Sequence, residues 1–441
     1  MAKIYIETYG CQMNVSDSEV VAALLRLHGY DLCTNAQEAD IILINTCAVR
    51  ENAENRVLGR LQNLAALRNN QGHTPILGIL GCMATHLRKQ LLDQGVGARI
   101  VVGPDSYRQL PTLLQNALAG EKVTSLELSR EETYAEILPY RYATPGVSAF
   151  VSIMRGCNNM CSFCVVPYTR GRERSRSLES IILEVTQVQD AGYKEITLLG
   201  QNVDSYAYAT PNGPINFATL LAKIAELFPA LRIRFSTSHP KDMTRQVVET
   251  MACHHNICHH IHLPVQSGAT RLLKAMRRGY SREDYLEQVE MIRKLLPDCA
   301  LSTDIIAGFC GETTEEFEQT LSLMDEVKFD SAFMFKYSNR EGTYASKHMP
   351  DDVPEEEKTR RLQAIIELQQ QHSLARHQAE IGQVQQVLIE GPSRKNKNHL
   401  AARTSGNKIV VLPRGRAGIG QYTNVRITDC TSATLIGQEI D

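Results

Sequence analysis

The chain has 441 residues, more than one hydrophobic core organises, so two or three domains are expected. Hydrophobic residues at 43% and charged residues at 22% are ordinary for a globular protein, and no apolar run approaches a membrane span. The net charge of −2 excludes any argument for nucleic-acid binding from bulk charge.

Residues 1–7 carry no basic-then-apolar leader, so a cytoplasmic protein with no membrane partner is expected. A monomer is expected as well, although nothing in the leader bears on it. Residues 3–8 alternate as a strand does. Residues 41–45 and 76–80 are short apolar runs rich in β-branched residues, as buried parallel strands are. Helical segments lie between them, one predicted to open at the capping-box spacing of Ser16 and Glu19. This alternation predicts an open parallel α/β sheet over residues 1–143. The pattern fades over 120–146 and ends in a linker signal, Thr144-Pro145-Gly146.

Over residues 144–378, six strand candidates recur, at 148–154, 195–199, 231–235, 258–263, 300–306 and 332–337. Each of the first five leads into a helical stretch, and 313–324 supplies another helix before the sixth. Six β/α units fall short of a closed eight-stranded barrel, so a partial (β/α)6 barrel with an open side is expected. A charged helix over about 354–379 leads into the last segment, 379–441. Its short strands, at 384–389, 409–412, 422–427 and 433–436, alternate with Gly, Pro and Asn turns and predict a small antiparallel β-barrel.

Twelve cysteines require a reason. Cytosolic thiols stay reduced, which disfavours a disulfide framework and turns attention to metal or cluster binding. Cys157, Cys161 and Cys164 lie on one loop after the first barrel strand, where active-site groups of β/α barrels sit. A 4Fe–4S cluster normally takes four thiolates, so three leave one iron open to S-adenosylmethionine. A structural zinc site needs a fourth ligand, and no other Cys or His lies near this loop. The C-x3-C-x2-C spacing resembles the signature of the radical S-adenosylmethionine superfamily, a likeness spanning about residues 147–375.

Cys11, Cys47 and Cys82 each follow a predicted strand of the first domain. Ligand sites of open parallel sheets gather beyond the carboxyl ends of the strands, so the three are expected to converge. Gly10 and Gly81 precede two of them and permit sharp turns. Free cysteines are also often small buried hydrophobes, but three in phase with strand ends favour a second cluster with an open iron.

Thr8-Tyr9-Gly10-Cys11-Gln12-Met13-Asn14 and Asn45-Thr46-Cys47-Ala48-Val49-Arg50 resemble the N-terminal domain of the methylthiotransferases. Residues Cys161-Ser162-Phe163-Cys164-Val165-Val166-Pro167-Tyr168-Thr169-Arg170-Gly171-Arg172-Glu173 resemble the branch of that family that acts on tRNA. The likeness covers nearly the whole chain. It implies addition of a methylthio group at C2 of an N6-isopentenyladenosine beside the anticodon. One S-adenosylmethionine would supply the methyl group and a second the 5′-deoxyadenosyl radical that takes hydrogen from C2. The resemblance implies two 4Fe–4S clusters, an auxiliary one on Cys11, Cys47 and Cys82 and a radical-generating one on Cys157, Cys161 and Cys164. It further implies the anticodon arm of a tRNA as substrate and an electron donor such as flavodoxin or ferredoxin. The chemistry is centred on the cofactor, so no side chain is assigned a catalytic role. The sister reaction, methylthiolation of a ribosomal-protein aspartate, is the competing reading; a non-catalytic RNA-binding protein with structural zinc belongs to another class. The chain departs from the family pattern at Cys310 and at Glu341, where relatives carry Pro.

Polar groups near strand ends, Gln201, Asn202, Ser238, Gln266 and Asp304, are candidates for binding S-adenosylmethionine, or for capping backbone groups. Arg170, Arg172, Arg174 and Arg176 form one basic segment. Residues 394–416 hold seven Lys or Arg and no Asp or Glu. Each segment is either a solvated face or an RNA contact. The second lies in the small barrel, which resembles the TRAM domain of RNA-modifying enzymes. The tract from Cys253 to His262 is rich in Cys and His but fits no zinc spacing. His260 and His262 should share one face of a strand.

Overall fold

The computed structural model describes residues 2–48, 51–87, 91, 97–142 and 146–440. Val49 and Arg50 of the second cysteine motif, and Thr144 and Pro145 of the linker signal, lie outside the described residues.

The first unit is a six-stranded sheet of β1 (Lys3–Thr8), β2 (Asp31–Cys33), β3 (Ile41–Thr46), β4 (Ile76–Gly81), β5 (Ala98–Val102) and β6 (Val123–Ser125). The strands are all parallel, in the order β2-β1-β3-β4-β5-β6. Strand β3 reads as an unbroken apolar run because both its faces are covered. Ile41 and Leu43 pack against helix α1 (Gln12–Leu27), and Ile42 and Ile44 against helix α2 (Glu51–Ala65). Strands β2, β5 and β6 were not expected; β6 lies in the stretch whose pattern fades. The expected helix start at Ser16 is also corrected. Helix α1 begins one turn earlier with Cys11 at its N-cap, where Asn14 Oδ1 accepts from the Cys11 amide at 3.4 Å and thiol at 3.2 Å. Ser16 is a buried position within the helix.

The central unit holds β7 (Ser148–Ser152), β8 (Glu195–Leu199), β9 (Arg232–Ser236), β10 (His260–His262), β11 (Ala300–Ala307) and β12 (Ser331–Lys336). Parallel pairing joins β7-β8-β9 and β10-β11-β12, and one parallel bridge, Ile233 to Ile257, links the two halves. Among the described residues β7 and β12 do not pair, so the barrel stays open. The first strand is shorter than expected. Met154–Arg155 turns away to pair with Arg174–Ser175, and this ribbon brackets the three-cysteine loop.

A helix, Glu355–Gln378, leads to a closed barrel of β13 (Val384–Pro392), β14 (His399–Thr404), β15 (Ile409–Pro413), β16 (Tyr422–Cys430) and β17 (Leu435–Glu439). It has five strands where four were expected, and β15 and β17 pair in parallel. Strand β14 went unread because Leu400 and the small Ala402 are its main buried apolar contributions. The turn after β14 docks on the amino-terminal end of the open barrel. Arg234 donates to Thr404 O at 2.7 Å and Ser405 O at 2.9 Å, and Arg232 donates to Arg403 O at 2.9 Å. No helix among the described residues is long and apolar enough to cross a membrane.

Candidate active site

Strands β1, β3 and β4 are immediate neighbours, so Cys11, Cys47 and Cys82 stand at the carboxyl ends of three adjacent strands. Thr46 pairs with Gly81, which sets Cys47 and Cys82 at one level. Cys82 opens the short helix α3 (Cys82–Leu87). Gly10 has φ +123°, and a Cβ there would fall 2.5 Å from Cys47 Cβ, so only glycine allows Cys11 and Cys47 to approach. The buried Asn14 and Asn45 lock this corner: Asn14 Nδ2 donates to Asn45 Oδ1 at 3.2 Å, and Asn45 Nδ2 donates to Asn14 O at 3.0 Å. A hydrogen bond from Cys47 lowers the Cys11 thiol to about 6, against the effect of burial, with the Arg170 charge adding to the shift. Burial pushes the Cys82 thiol up, and Arg170 opposes it.

Cys157, Cys161 and Cys164 share the loop between the two ribbon strands. Burial pushes Cys157 and Cys164 up to about 11 and about 12, and the neighbouring Cys161 adds to both shifts. Thiols so placed ligate only with a positive partner, which a cluster's irons would supply. Two N–H groups already point at the sulfurs: Arg278 Nη1 lies 3.2 Å from Cys161 Sγ, and the Val166 amide 3.5 Å from Cys164 Sγ. None of the six cysteines is in a disulfide. No three His, Cys, Asp or Glu side chains among the described residues close around a single ion's position. A multi-iron cluster holds its thiolates farther apart than one ion does, so two three-thiol sets with N–H donors fit such a group.

The segments that carry the two sets are in contact. Val165, beside Cys164, packs in one apolar contact with Cys82 and with Ala48, which follows Cys47. Charged pairs brace the contact: Arg155 and Arg170 each approach a different oxygen of buried Asp17 at 2.8 Å, and Arg174 meets Asp105 at 2.8 Å. Arg176 pairs with Glu184. The basic segment after the loop is therefore corrected. Arg170, Arg174 and Arg176 are buried in ion pairs, and Arg172 alone of the four is exposed.

Gln201, Asn202, Ser238 and Gln266 lie just beyond the ends of β8, β9 and β10, whereas Asp304 lies inside β11. Gln201 Oε1 accepts from the Gly156 amide at 2.6 Å, and buried Asn202 donates to Asp242 at 2.7 Å. Ser238 donates to Asp204 at 3.3 Å. Gln266 has φ +71° and bonds through its backbone to Asp304. Asp304 stands 3.4 Å from His262 Nε2. His260 and His262 both meet Ser302 Oγ, at 3.0 and 2.9 Å. Cys310 is buried among Phe309, Tyr337 and Ala345, an apolar cluster that also takes in Phe163 of the cysteine loop.

Sequence reasoning missed Arg278, Asp17 and Asn45. Arg278 follows the left-handed Arg277 and is held by Pro264 O at 2.8 Å and Tyr280 OH at 3.0 Å. In sequence it looks like any basic residue after a helix. Its neighbour Gly279 is the sole hint of a turn that could drive it inward.

Family models match three parts of the chain: Uncharacterized protein family UPF0004 over residues 3–103, the Radical SAM superfamily over 151–324 and the TRAM domain over 378–440. A solved structure of the radical S-adenosylmethionine methyltransferase TsrM from Kitasatospora setae has a TM-score of 0.59 and 12% identity, covering 78% of this chain and 74% of that one. The radical enzyme OxsB gives 0.54 and 16%, covering 84% and 56%. Likeness this remote shows a shared fold alone. Fold and family models define the class: a radical S-adenosylmethionine protein carrying a TRAM domain, which implies a 4Fe–4S cluster and S-adenosylmethionine.

The chain is 52% identical over 438 residues to the tRNA-2-methylthio-N(6)-dimethylallyladenosine synthase of Phocaeicola vulgatus, covering 99% of this chain and 96% of that protein. It is 51% identical over 441 residues to the synthase of Porphyromonas gingivalis, covering 100% and 95%. The chain belongs to the tRNA-2-methylthio-N(6)-dimethylallyladenosine synthase family.

Proposed function

We propose that the chain adds a methylthio group to C2 of N6-dimethylallyladenosine beside the anticodon of tRNA, consuming two S-adenosylmethionine molecules. The observation that carries this reading is the Val165–Cys82–Ala48 contact, which sets the two cysteine sets side by side. Cys157, Cys161 and Cys164 hold a cluster that supplies the electron for S-adenosylmethionine cleavage. Cys11, Cys47 and Cys82 hold a second cluster, which supplies the sulfur. The domains are 1–143, 144–378 and 379–441, and an electron donor such as flavodoxin or ferredoxin serves a cytoplasmic monomer.

The target base must leave its stack to reach the site. The inner wall of the open barrel offers it a surface. Phe333 pairs opposite Asp304 in β12, while its neighbours Ala332 and Met334 pack outward on the core. Phe333 is 53% exposed, with the His262 ring edge-on at 5.7 Å. An exposed aromatic face on that wall suits a purine.

The test is nucleoside analysis of dimethylallyl-tRNA after reaction with the anaerobically reconstituted protein, S-adenosylmethionine and a reductant. Methylthio-adenosine is the expected product. Unmodified tRNA alongside a methylthiolated ribosomal-protein aspartate would transfer the chain to the sister reaction. Within the tRNA reading, Cys157→Ala should abolish S-adenosylmethionine cleavage, while Cys47→Ala should block thiolation and spare cleavage.

A further inference from the structure

Arg170 belongs to the central unit but reaches into the first. It lies six residues beyond Cys164, just past the short helix Val166–Thr169, and is 3% exposed. Its Nε donates to Cys82 Sγ at 3.1 Å, and its Nη2 donates to Asp17 Oδ2 at 2.8 Å. The other Asp17 oxygen is taken by Arg155 at 2.8 Å, so Asp17 is itself fixed. A planar guanidinium held at two points cannot turn, which leaves the direction of Nη1 set. Nη1 is buried and has no hydrogen-bond partner among the described residues. Donors buried without acceptors are rare and costly, and one beside a metal-ligating sulfur calls for an anionic acceptor that arrives with the bound group.

Resting on the two-cluster reading above, we propose that Arg170 is a positioning residue for the sulfur-bearing site. Its Nε orients the Cys82 thiolate, and its Nη1 supplies a donor to the sulfur bound there. The exit of the radical-generating loop thus holds a ligand of the other cluster. The short sequence distance from Cys164 to Arg170 ties the two sites together. Hydrogen bonds to ligand sulfurs raise a cluster's reduction potential, and partners of this kind typically change metal affinity or activity by about 10- to 100-fold.

The test uses the full-length chain reconstituted anaerobically with iron and sulfide. The potential of the first-domain cluster is read in a background with Cys157, Cys161 and Cys164 replaced by Ala. Methylthio product per 5′-deoxyadenosine is read in the otherwise native chain. Arg170→Gln should lower the potential and cut the product ratio by about tenfold or more. Arg170→Lys, which keeps the charge but not the two-point hold, should recover only part of either. Arg155 still pairs with Asp17 in Arg170→Gln, and the double variant Asp17→Asn/Arg170→Gln restores the parent's net charge in this buried group; it should behave as Arg170→Gln. Arg174→Gln is the control, breaking the Arg174–Asp105 pair in the same interface without touching a cysteine. The inference is overturned if Arg170→Gln matches the parent in both readouts, or if Arg174→Gln shifts them equally. A parent chain that binds no iron in the cysteine-replaced background would instead sink the two-cluster reading itself.

Discussion

Gln201 Oε1 accepts the Gly156 amide proton at 2.6 Å, tying the end of the second barrel strand to the root of the three-cysteine loop. Gly156 has no freedom to drift, because at φ +78° an added Cβ would fall 2.0 Å from Arg172 O. Gln201→Ala leaves that amide unsatisfied, a cost of about 1–3 kcal/mol concentrated on the loop. The variant should lose cluster iron to a chelator about tenfold faster than the parent, while Gln201→Glu, which keeps an acceptor, should not. Equal iron loss from all three proteins would show that the bond does not hold the loop.

Phe333 presents its ring on the inner wall of the barrel, opposite Asp304. Stacking of a base on an aromatic side chain is worth about 1–3 kcal/mol, so Phe333→Ala should raise the KM for tRNA by roughly tenfold. Phe333→Tyr keeps the ring face and should stay near the parent. An unchanged KM in the alanine variant would move the base to another wall.

How legible this site was in the sequence depends on the range of the interactions that build it. Strand β3 was legible because burial on both faces writes an apolar run into consecutive residues. The phase of Cys11, Cys47 and Cys82 with strand ends was legible for the same local reason. That β1, β3 and β4 are adjacent was not, because strand order leaves no trace in periodicity. Arg170 and Arg174 were misread for a related reason. Their partners Asp17 and Asp105 come from distant parts of the chain, and charge counting along one segment cannot see them. Nothing in the local sequence marks Asp17 either; it is fully buried because the central unit packs over that face of α1.

The small barrel divides its basic run in two. Arg403 is held by Glu390 at 2.7 Å, and Lys408 by Asp330 and Glu380. Arg394, Lys395 and Lys397 are exposed on the loop after β13, beside exposed Arg414 and Arg416 after β15. Arg414 donates to Lys397 O at 3.2 Å, so the two loops form one basic pole. Replacing Lys395 and Lys397 by Ala should weaken tRNA binding uniformly across sequences and lower the salt slope by about 1 for each phosphate that is no longer neutralised. Binding titrations at several salt concentrations read this. A slope identical to the parent's would place the tRNA backbone elsewhere.

Glu19 of helix α1 and Glu184 of the central unit converge on Arg141, at 3.8 and 2.8 Å. Glu184 is also paired with Arg176, so Arg141 is left to serve both acids. Burial pushes the Glu19 carboxyl up to about 7; Arg141 opposes the shift and Glu184 adds to it. An unfolded chain releases this proton near pH 4.5, whereas the folded chain keeps it until about 7. Between those values the folded state binds more protons, so this group's contribution to stability falls as pH rises and then levels off above 7. Glu19→Gln removes the ionisation and should stabilise the chain by about 1–2 kcal/mol at pH 8, with little change at pH 4.5. Denaturant melts of parent and variant across that range measure the difference. A gap that is constant with pH, or that widens toward acid, would mean that Glu19 is already ionised in the folded chain and that Arg141 neutralises both carboxylates.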